Sequence, residues 1–447
     1  DDILVGSSGN NDIRGEYGDD TLIGGGGSDV LRGGYGADYF VIESGDTATD
    51  TIKDLDVLDI IDLTQIVTLD GVTLALQQNG TDVEIVDNNA PSTVYALVEN
   101  TLVADLFLDP AGYVTRTDFN LVLGTDASET LNGTAANDVF KPQNNDPSVG
   151  DVIVASDGND TVHFQGTEDG FYTVNYSSRT GHIEATINQT HGLIEEDSNN
   201  DGFVDNTVTL INIEDGINPT GGGGLSIRGT AGDDTVTTNR NDSTLIEFRG
   251  LAGDDTFVGG DGWDRISYRS DGAGVVVNLG DTAETHSGSS IAARTALDGA
   301  GDTDTLLGDI DEVRGSNYTD ILVGGDADER FITEKGDDTI DGGGGTDTLR
   351  YDRGGIETVT VDLSTNTGSV TFSGPIVHTQ TIYNVENIRG SVGNDIITGD
   401  GSANRLEGRH GDDTLTGGAG NDVLIGGSGD DSLIGGADND VYVYNDA

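Results

Sequence analysis

The chain has 447 residues, with 69 glycines, 81 acidic against 20 basic side chains, a formal charge of −61 and no cysteine. That balance argues against nucleic acid or anionic lipid as partner, since phosphate binding needs a basic face. It also excludes disulfides and thiolate chemistry. Charge alone leans toward disorder, yet Ile, Val, Leu, Phe and Tyr recur at regular places. Two readings of the acidity follow: a solvated surface suited to a salt-rich habitat, or carboxylates gathered around bound cations.

In chain order, the sequence alternates between nonapeptide blocks and strand-rich stretches. Each nonapeptide reads G-G-x-G-x-D-x-U-x, with U a large apolar residue. The first block covers 1–41, with Asn11, Asp20, Asp29 and Asp38 at position six and a partial repeat that places Asp2 there. A strand-rich capping or linker region follows over 42–123. Within it DTIKDLDVLDIIDLTQI (50–66) alternates apolar and acidic residues, which predicts a strand with one buried face. Degenerate coils at 124–163 carry Glu129, Asp138, Asp151 and Asp160.

The stretch 164–228 is a strand-rich insertion holding EEDSNNDGFVDN. There Asp197, Asn199, Asp201 and Asp205 are spaced like the first half of a calcium loop, with Gly202 at the turn. Position twelve is Val208, so the bidentate glutamate is missing, and the segment reads either as a calcium loop or as an acidic surface turn. Coils at 229–267 bring Asp234, Asp255 and Asp264. An insertion at 268–314 precedes the block 315–350, with Asp320, Glu329, Asp338 and Asp347. A further insertion, 351–389, leads into the block 390–447, whose position-six residues are Asp395, Asn404, Asp413, Asp422, Asp431 and Asp440. The three insertions share a plan: a short strand ending in Tyr176, Tyr268 or Tyr351, an alternating strand, and a closing Glu214, Asp311 or Glu386.

Position eight is apolar in all 21 full repeats, which a flexible glycine-rich linker has no reason to maintain. Glycines at positions one, two and four permit two sharp turns within six residues, and such turns point carbonyl oxygens inward. The position-six carboxylate adds charged oxygens beside them. Carbonyl-plus-carboxylate ligation at flexible geometry selects Ca²⁺. The remaining x-U-x makes a short strand with its middle side chain inside. Two repeats then form one coil of a solenoid, with aspartates in two columns and ions between neighbouring coils. The expected fold is all-β: a parallel β-roll or β-helix solenoid of calcium-binding nonapeptide coils with inserted strand-rich coils.

GGAGNDVLI, GGSGDDSLI and GGGGSDVLR resemble the repeats of the RTX family of secreted Gram-negative bacterial proteins. The segment GADYFVIESGDTATDTIKDLDVLDIIDL resembles the end of an RTX block in serralysin-type proteases. The resemblance implies a parallel β-roll, type I export and calcium-driven folding outside the cell, in line with zero cysteine. Asn11 and Asn404 lack a charge and Glu129 and Glu329 are a methylene longer, so their sites are expected to be weaker or absent. The ends DDILVG and VYVYNDA read as cuts through repeats, which implies a fragment of a longer protein.

No H-E-x-x-H, G-x-S-x-G or P-loop pattern occurs, and the Asp-Asp pairs fall in repeat turns or linkers, so no catalytic residue is expected. The expected role is a structural or adhesive surface region (S-layer, fibril or adhesin), with self-association or a cell-surface polysaccharide as partner besides calcium. The rival is the C-terminal folding and secretion module of a secreted protease, lipase or epimerase. No apolar run approaches the ~18 residues of a membrane span.

Overall fold

The computed structural model describes residues 2–44, 48–55, 59–69, 72–99, 101, 106–108, 113–116, 120–123, 129–135, 138–141, 151–154, 156–157, 159–163, 171–188, 191–198, 204, 206–211, 224–286, 289–353, 355–372 and 377–443. Strand makes up 53% of the chain and helix 2%, which places it in the all-β class. The chain divides into two compact units: residues 1–171 with 190–193 and 205–223, and residues 172–189 with 194–204 and 224–447.

In the first unit the x-U-x triplets form strands that pair parallel with the repeat after next. Ile3–Val5, Thr21–Ile23, Tyr39–Val41 and Ile60–Asp62 stack in that order. Leu4 lies beside Leu22, Leu22 beside Phe40, and Phe40 beside Ile61. A second sheet stacks Asp12–Tyr17, Val30–Tyr35 and Asp50–Ile52. The register is eighteen residues in the repeats, so two nonapeptides close one coil. Side chains alternate across a strand, and position eight faces inward: Leu22, Leu31, Phe40, Ile52 and Ile61 are fully buried.

The stretch 50–66 departs from expectation. It is two short strands, Asp50–Ile52 and Ile60–Asp62, one in each sheet, followed by a helix at Thr64–Leu69. The alternation reflects two successive coil strands rather than one long one. An antiparallel meander, Leu74–Asn79, Asp82–Asp87 and Ala90–Val98, then joins the coil through Asp50–Ile52.

The second unit repeats the architecture. In its last block Arg405–His410, Val423–Ser428 and Val441–Val443 form one parallel stack. Ile396–Thr398, Thr414–Ala419 and Ser432–Ala437 form the other. Leu406, Leu415, Leu424 and Ile397 make the core between them. The insertions replace one side of a coil by a hairpin. Ile356–Asp362, Thr367–Phe372 and Val377–Tyr383 run antiparallel to one another. The two outer strands of this meander still pair parallel with coil strands, at Thr360↔Ile396 and Thr339↔Thr381. The three tyrosines follow their strands directly and plug the coil interior: Tyr176, Tyr268 and Tyr351 are at most 3% exposed. Among the described residues no helix is long and apolar enough to cross a membrane.

Candidate metal centre

The eighteen-residue coil lays each nonapeptide turn on its predecessor, so position-six side chains form columns. The backbone N–H of one position-six residue donates to Oδ1 of the next in its column. Asp20 N–H donates to Asp38 at 2.8 Å and Asn11 to Asp29 at 2.7 Å. Asp138 donates to Asp160 at 3.0 Å, Glu129 to Asp151 at 3.0 Å and Asp234 to Asp255 at 2.8 Å. Asp320 donates to Asp338 (3.0 Å) and Glu329 to Asp347 (2.8 Å). In the last block Asp395 donates to Asp413 and Asp413 to Asp431, while Asn404 donates to Asp422 and Asp422 to Asp440, all within 3.1 Å.

Five acids continue these columns where no nonapeptide was read at their position. Asp29 N–H donates to Asp50, Asp38 to Asp59, Asp255 to Asp304, Asp264 to Asp311 and Asp347 to Glu386. Sequence reading marked Asp311 and Glu386 as the acids that close insertions, but not as column members. Asp50, Asp59 and Asp304 were missed because their turns lack the glycine pattern. Of the four candidate ligands in the acidic loop, Asp197 is described, buried at the end of the strand His191–Asp197; Asn199, Asp201 and Asp205 lie outside the described residues.

Among the described residues no three histidine or carboxylate side chains gather at one point. The six to eight oxygens of a calcium shell therefore have to be completed by backbone carbonyls, and the turns supply them. A Cβ on Gly417 would strike Asp422 Oδ2 and crowd the Gly435 carbonyl of the next turn. Gly15 stands in the same relation to Asp20 Oδ2 and the Gly33 carbonyl, and Gly408 to Asp413 Oδ2 and the Gly426 carbonyl. Carboxylate and carbonyl oxygens thus converge on one space that only glycine leaves open.

The turns come in two conformations. In ten of those among the described residues, positions two and four both lie in the left-handed region. Position two is then Glu16, Gly25, Gly34, Leu251, Glu334, Gly343, Arg409, Gly418, Gly427 or Gly436, with φ from 58° to 113°. Four of these are not glycine and carry a steric cost of about 1–2 kcal/mol each. At such turns Asp38, Asp347, Asp413 and Asp422 each bury an Oδ2 with no hydrogen-bond donor.

In at least eight other turns among the described residues position two stays out of the left-handed region and its N–H donates to the position-six side chain. Thr134, Thr230, Gly260, Ser316 and Ser391 do so to Asp138, Asp234, Asp264, Asp320 and Asp395, at 2.6–2.8 Å. Gly325 does so to Glu329, Ser7 to Asn11 and Asp400 to Asn404.

Burying stacked carboxylates without a counter-ion is costly. Burial, reinforced by neighbouring carboxylates, pushes Asp38 and Asp413 up to about 7, Asp338 to about 8 and Asp255 to about 9. Orphaned buried oxygens, convergent carbonyls and raised acidities all fit a divalent cation with oxygen preference. They do not suit a softer metal, for which no thiolate exists.

Electrostatics of another kind run along the second unit. Glu247, Arg265, Glu312, Arg350 and Asp352 form a buried ladder. Arg265 bonds Glu247 at 3.0 Å and Glu312 at 2.5 Å, and Arg350 bonds Glu312 at 2.7 Å and Asp352 at 3.0 Å. Trp263, at an x position, lies 4.9 Å beneath the Arg330 guanidinium, and His410 is exposed beside Ser428.

Comparison with known families agrees with this geometry. Residues 1–31, 14–47, 150–165, 247–271, 323–355, 384–415 and 407–442 match the model of the RTX calcium-binding nonapeptide repeat (4 copies). No curated protein matches the chain. The matched segments are RTX repeats, a non-catalytic calcium-binding family, and they bind multiple calcium ions.

Proposed function

We propose that this chain, with its RTX repeats, is a calcium-dependent structural or adhesive region of a secreted bacterial surface protein, of S-layer, fibril or adhesin type. Type I export and folding on extracellular calcium belong to the same reading. One observation carries it: RTX-matched segments recur from residue 1 to residue 442, separated by strand-built insertions, instead of forming one terminal block. Asp20, Asp29, Asp38, Asp255, Asp338, Asp347, Asp413, Asp422, Asp431 and Asp440 are assigned as the side-chain ligands with the strongest support, at the left-handed turns. In a calcium-poor cytoplasm a charge of −61 keeps the chain extended for export; outside, ion binding becomes folding free energy.

A second reading, the non-catalytic C-terminal folding and secretion module of a secreted enzyme, is favoured by the segment 36–63 and its resemblance to a protease-type block end. Electron microscopy of the chain in chelator and in about 5 mM Ca²⁺, above the affinities of extracellular modules, separates the two. Ordered lattices, filaments or binding to bacterial envelope polysaccharide, each only with calcium, are expected. A monodisperse chain that folds with calcium yet neither assembles nor binds envelope material would overturn the surface role.

A further inference from the structure

The two turn conformations are not scattered. In three turns among the described residues the position-two N–H and hydroxyl both close within 2.9 Å on the position-six carboxylate, at Asp234, Asp320 and Asp395. These three have no nonapeptide turn before them in their columns, whereas each left-handed turn among the described residues has a predecessor. What precedes these three turns is an insertion strand. Ile183, Val275 and Val359 donate their N–H groups to Oδ1 of Asp234, Asp320 and Asp395, at 2.8–2.9 Å.

We propose that the run-opening turns with a hydroxyl residue at position two are ion-free caps, in which that hydroxyl and its N–H do the work calcium does elsewhere. Ser391 Oγ lies 2.8 Å from Asp395 Oδ1 and 3.0 Å from the Glu357 carbonyl, while Ser391 N–H donates to Oδ2 at 2.6 Å. Thr230 Oγ1 lies between Asp234 Oδ1 (2.9 Å) and the Gly181 carbonyl (2.6 Å) in the same way. Ser316 Oγ approaches Asp320 Oδ1 at 2.7 Å. Each hydroxyl sits against the carboxylate, and two of the three also lie within 3.0 Å of an insertion carbonyl; the single hydroxyl proton serves one of these acceptors while the position-two N–H serves the carboxylate.

The physical reason lies in the donors each carboxylate receives. Both kinds of turn accept one backbone N–H on Oδ1 from the element they stack on, as Asp395 does from Val359 and Asp413 from Asp395. An opening turn adds its own position-two N–H and hydroxyl to the same carboxylate. Donors satisfy a carboxylate and repel a cation. Four left-handed turns, at Asp38, Asp347, Asp413 and Asp422, leave Oδ2 bare instead.

Bound calcium per chain then follows the turns without a hydroxyl cap, about ten left-handed ones together with those at Asp264 and Glu329, which also keep a bare oxygen, and any in the undescribed repeats, rather than one per repeat. The test counts ions on the full chain at saturating calcium, by equilibrium dialysis and atomic emission, with circular dichroism reporting the fold. Asp320→Asn with Asp395→Asn should leave the count unchanged. Asp413→Asn with Asp422→Asn should lower it by about two or more. Loss of as many ions from the first pair as from the second would overturn the proposal.

Should either pair fail to fold, Ser316→Ala with Ser391→Ala decides. An unchanged count with a lowered denaturation midpoint supports the cap, and a changed count, or an unchanged midpoint, refutes it. The proposal rests on calcium binding by the repeats, and an ion-free wild-type chain would refute that premise separately.

Discussion

Removing calcium should make the fold depend on acid. In the folded chain burial raises Asp255 to about 9, Asp338 to about 8, and Asp304 and Asp320 to about 7, from an ordinary value of 3.8. All four are at most 3% exposed. Because the folded-state values lie above the unfolded ones, the folded chain holds more protons. Its calcium-free stability is fully present below pH 3.8 and is lost as pH rises through 7 to 9.

A rise from 3.8 to about 7 is worth on the order of 4 kcal/mol once the pH is well above 7. Four such groups together exceed the roughly 5–15 kcal/mol by which a domain is stable. The chelated chain should therefore be unfolded at pH 8 and regain β-structure by pH 5.5, where protons neutralise the columns. Far-UV circular dichroism in EDTA reads this, with pH 5.5 chosen to stay above the sequence isoelectric point of about 4.1. Calcium binding near pH 7 should also release protons, seen as a buffer-dependent heat. A β-signal in EDTA at pH 8 equal to that in calcium would refute the reasoning, as would no gain at pH 5.5.

Two substitutions probe the scaffold. Glu312→Gln removes the charge shared by Arg265 and Arg350 in the buried ladder. Stripping Arg265 and Arg350 each of one of two carboxylate partners, with Glu247 and Asp352 remaining, should cost about 3 kcal/mol, lowering Tm in calcium by on the order of 10 °C with the ion count unchanged. Gly418→Ala places a Cβ against the Asp400 carbonyl at φ 113° and should weaken calcium binding in its block about tenfold, a cost of ~1.4 kcal/mol. Gly401→Ala, where a Cβ meets nothing, should match the wild type in the same calcium titration.

Much of the site was legible because the nonapeptide writes its own geometry. Glycine spacing marks the turns, Asp at position six marks the columns, and one apolar residue in nine marks the core. Leu406, Leu415 and Leu424 are buried as the pattern required, and the eighteen-residue register followed from two repeats per coil. Asp50, Asp59 and Asp304 escaped notice because they reach the columns from insertions whose turns follow no motif. The insertion tyrosines were visible as landmarks, while their burial was not; Tyr268 donates to Asp304 and Tyr351 to Gln380, partners 36 and 29 residues away.

What the sequence determined by itself is whatever repeats at nine residues: the all-β coil, its thin core, and oxygen ligands suited to calcium. Only the tertiary structure decided which carboxylates keep a bare oxygen. Asp395 and Asp413 share a motif position and each accepts one backbone N–H from the element it stacks on, yet Asp395 also takes the Ser391 N–H and hydroxyl while Asp413 keeps Oδ2 without a donor. That difference follows the turn conformation, with Arg409 in the left-handed region and Ser391 outside it, and the nonapeptide spacing alone does not encode it.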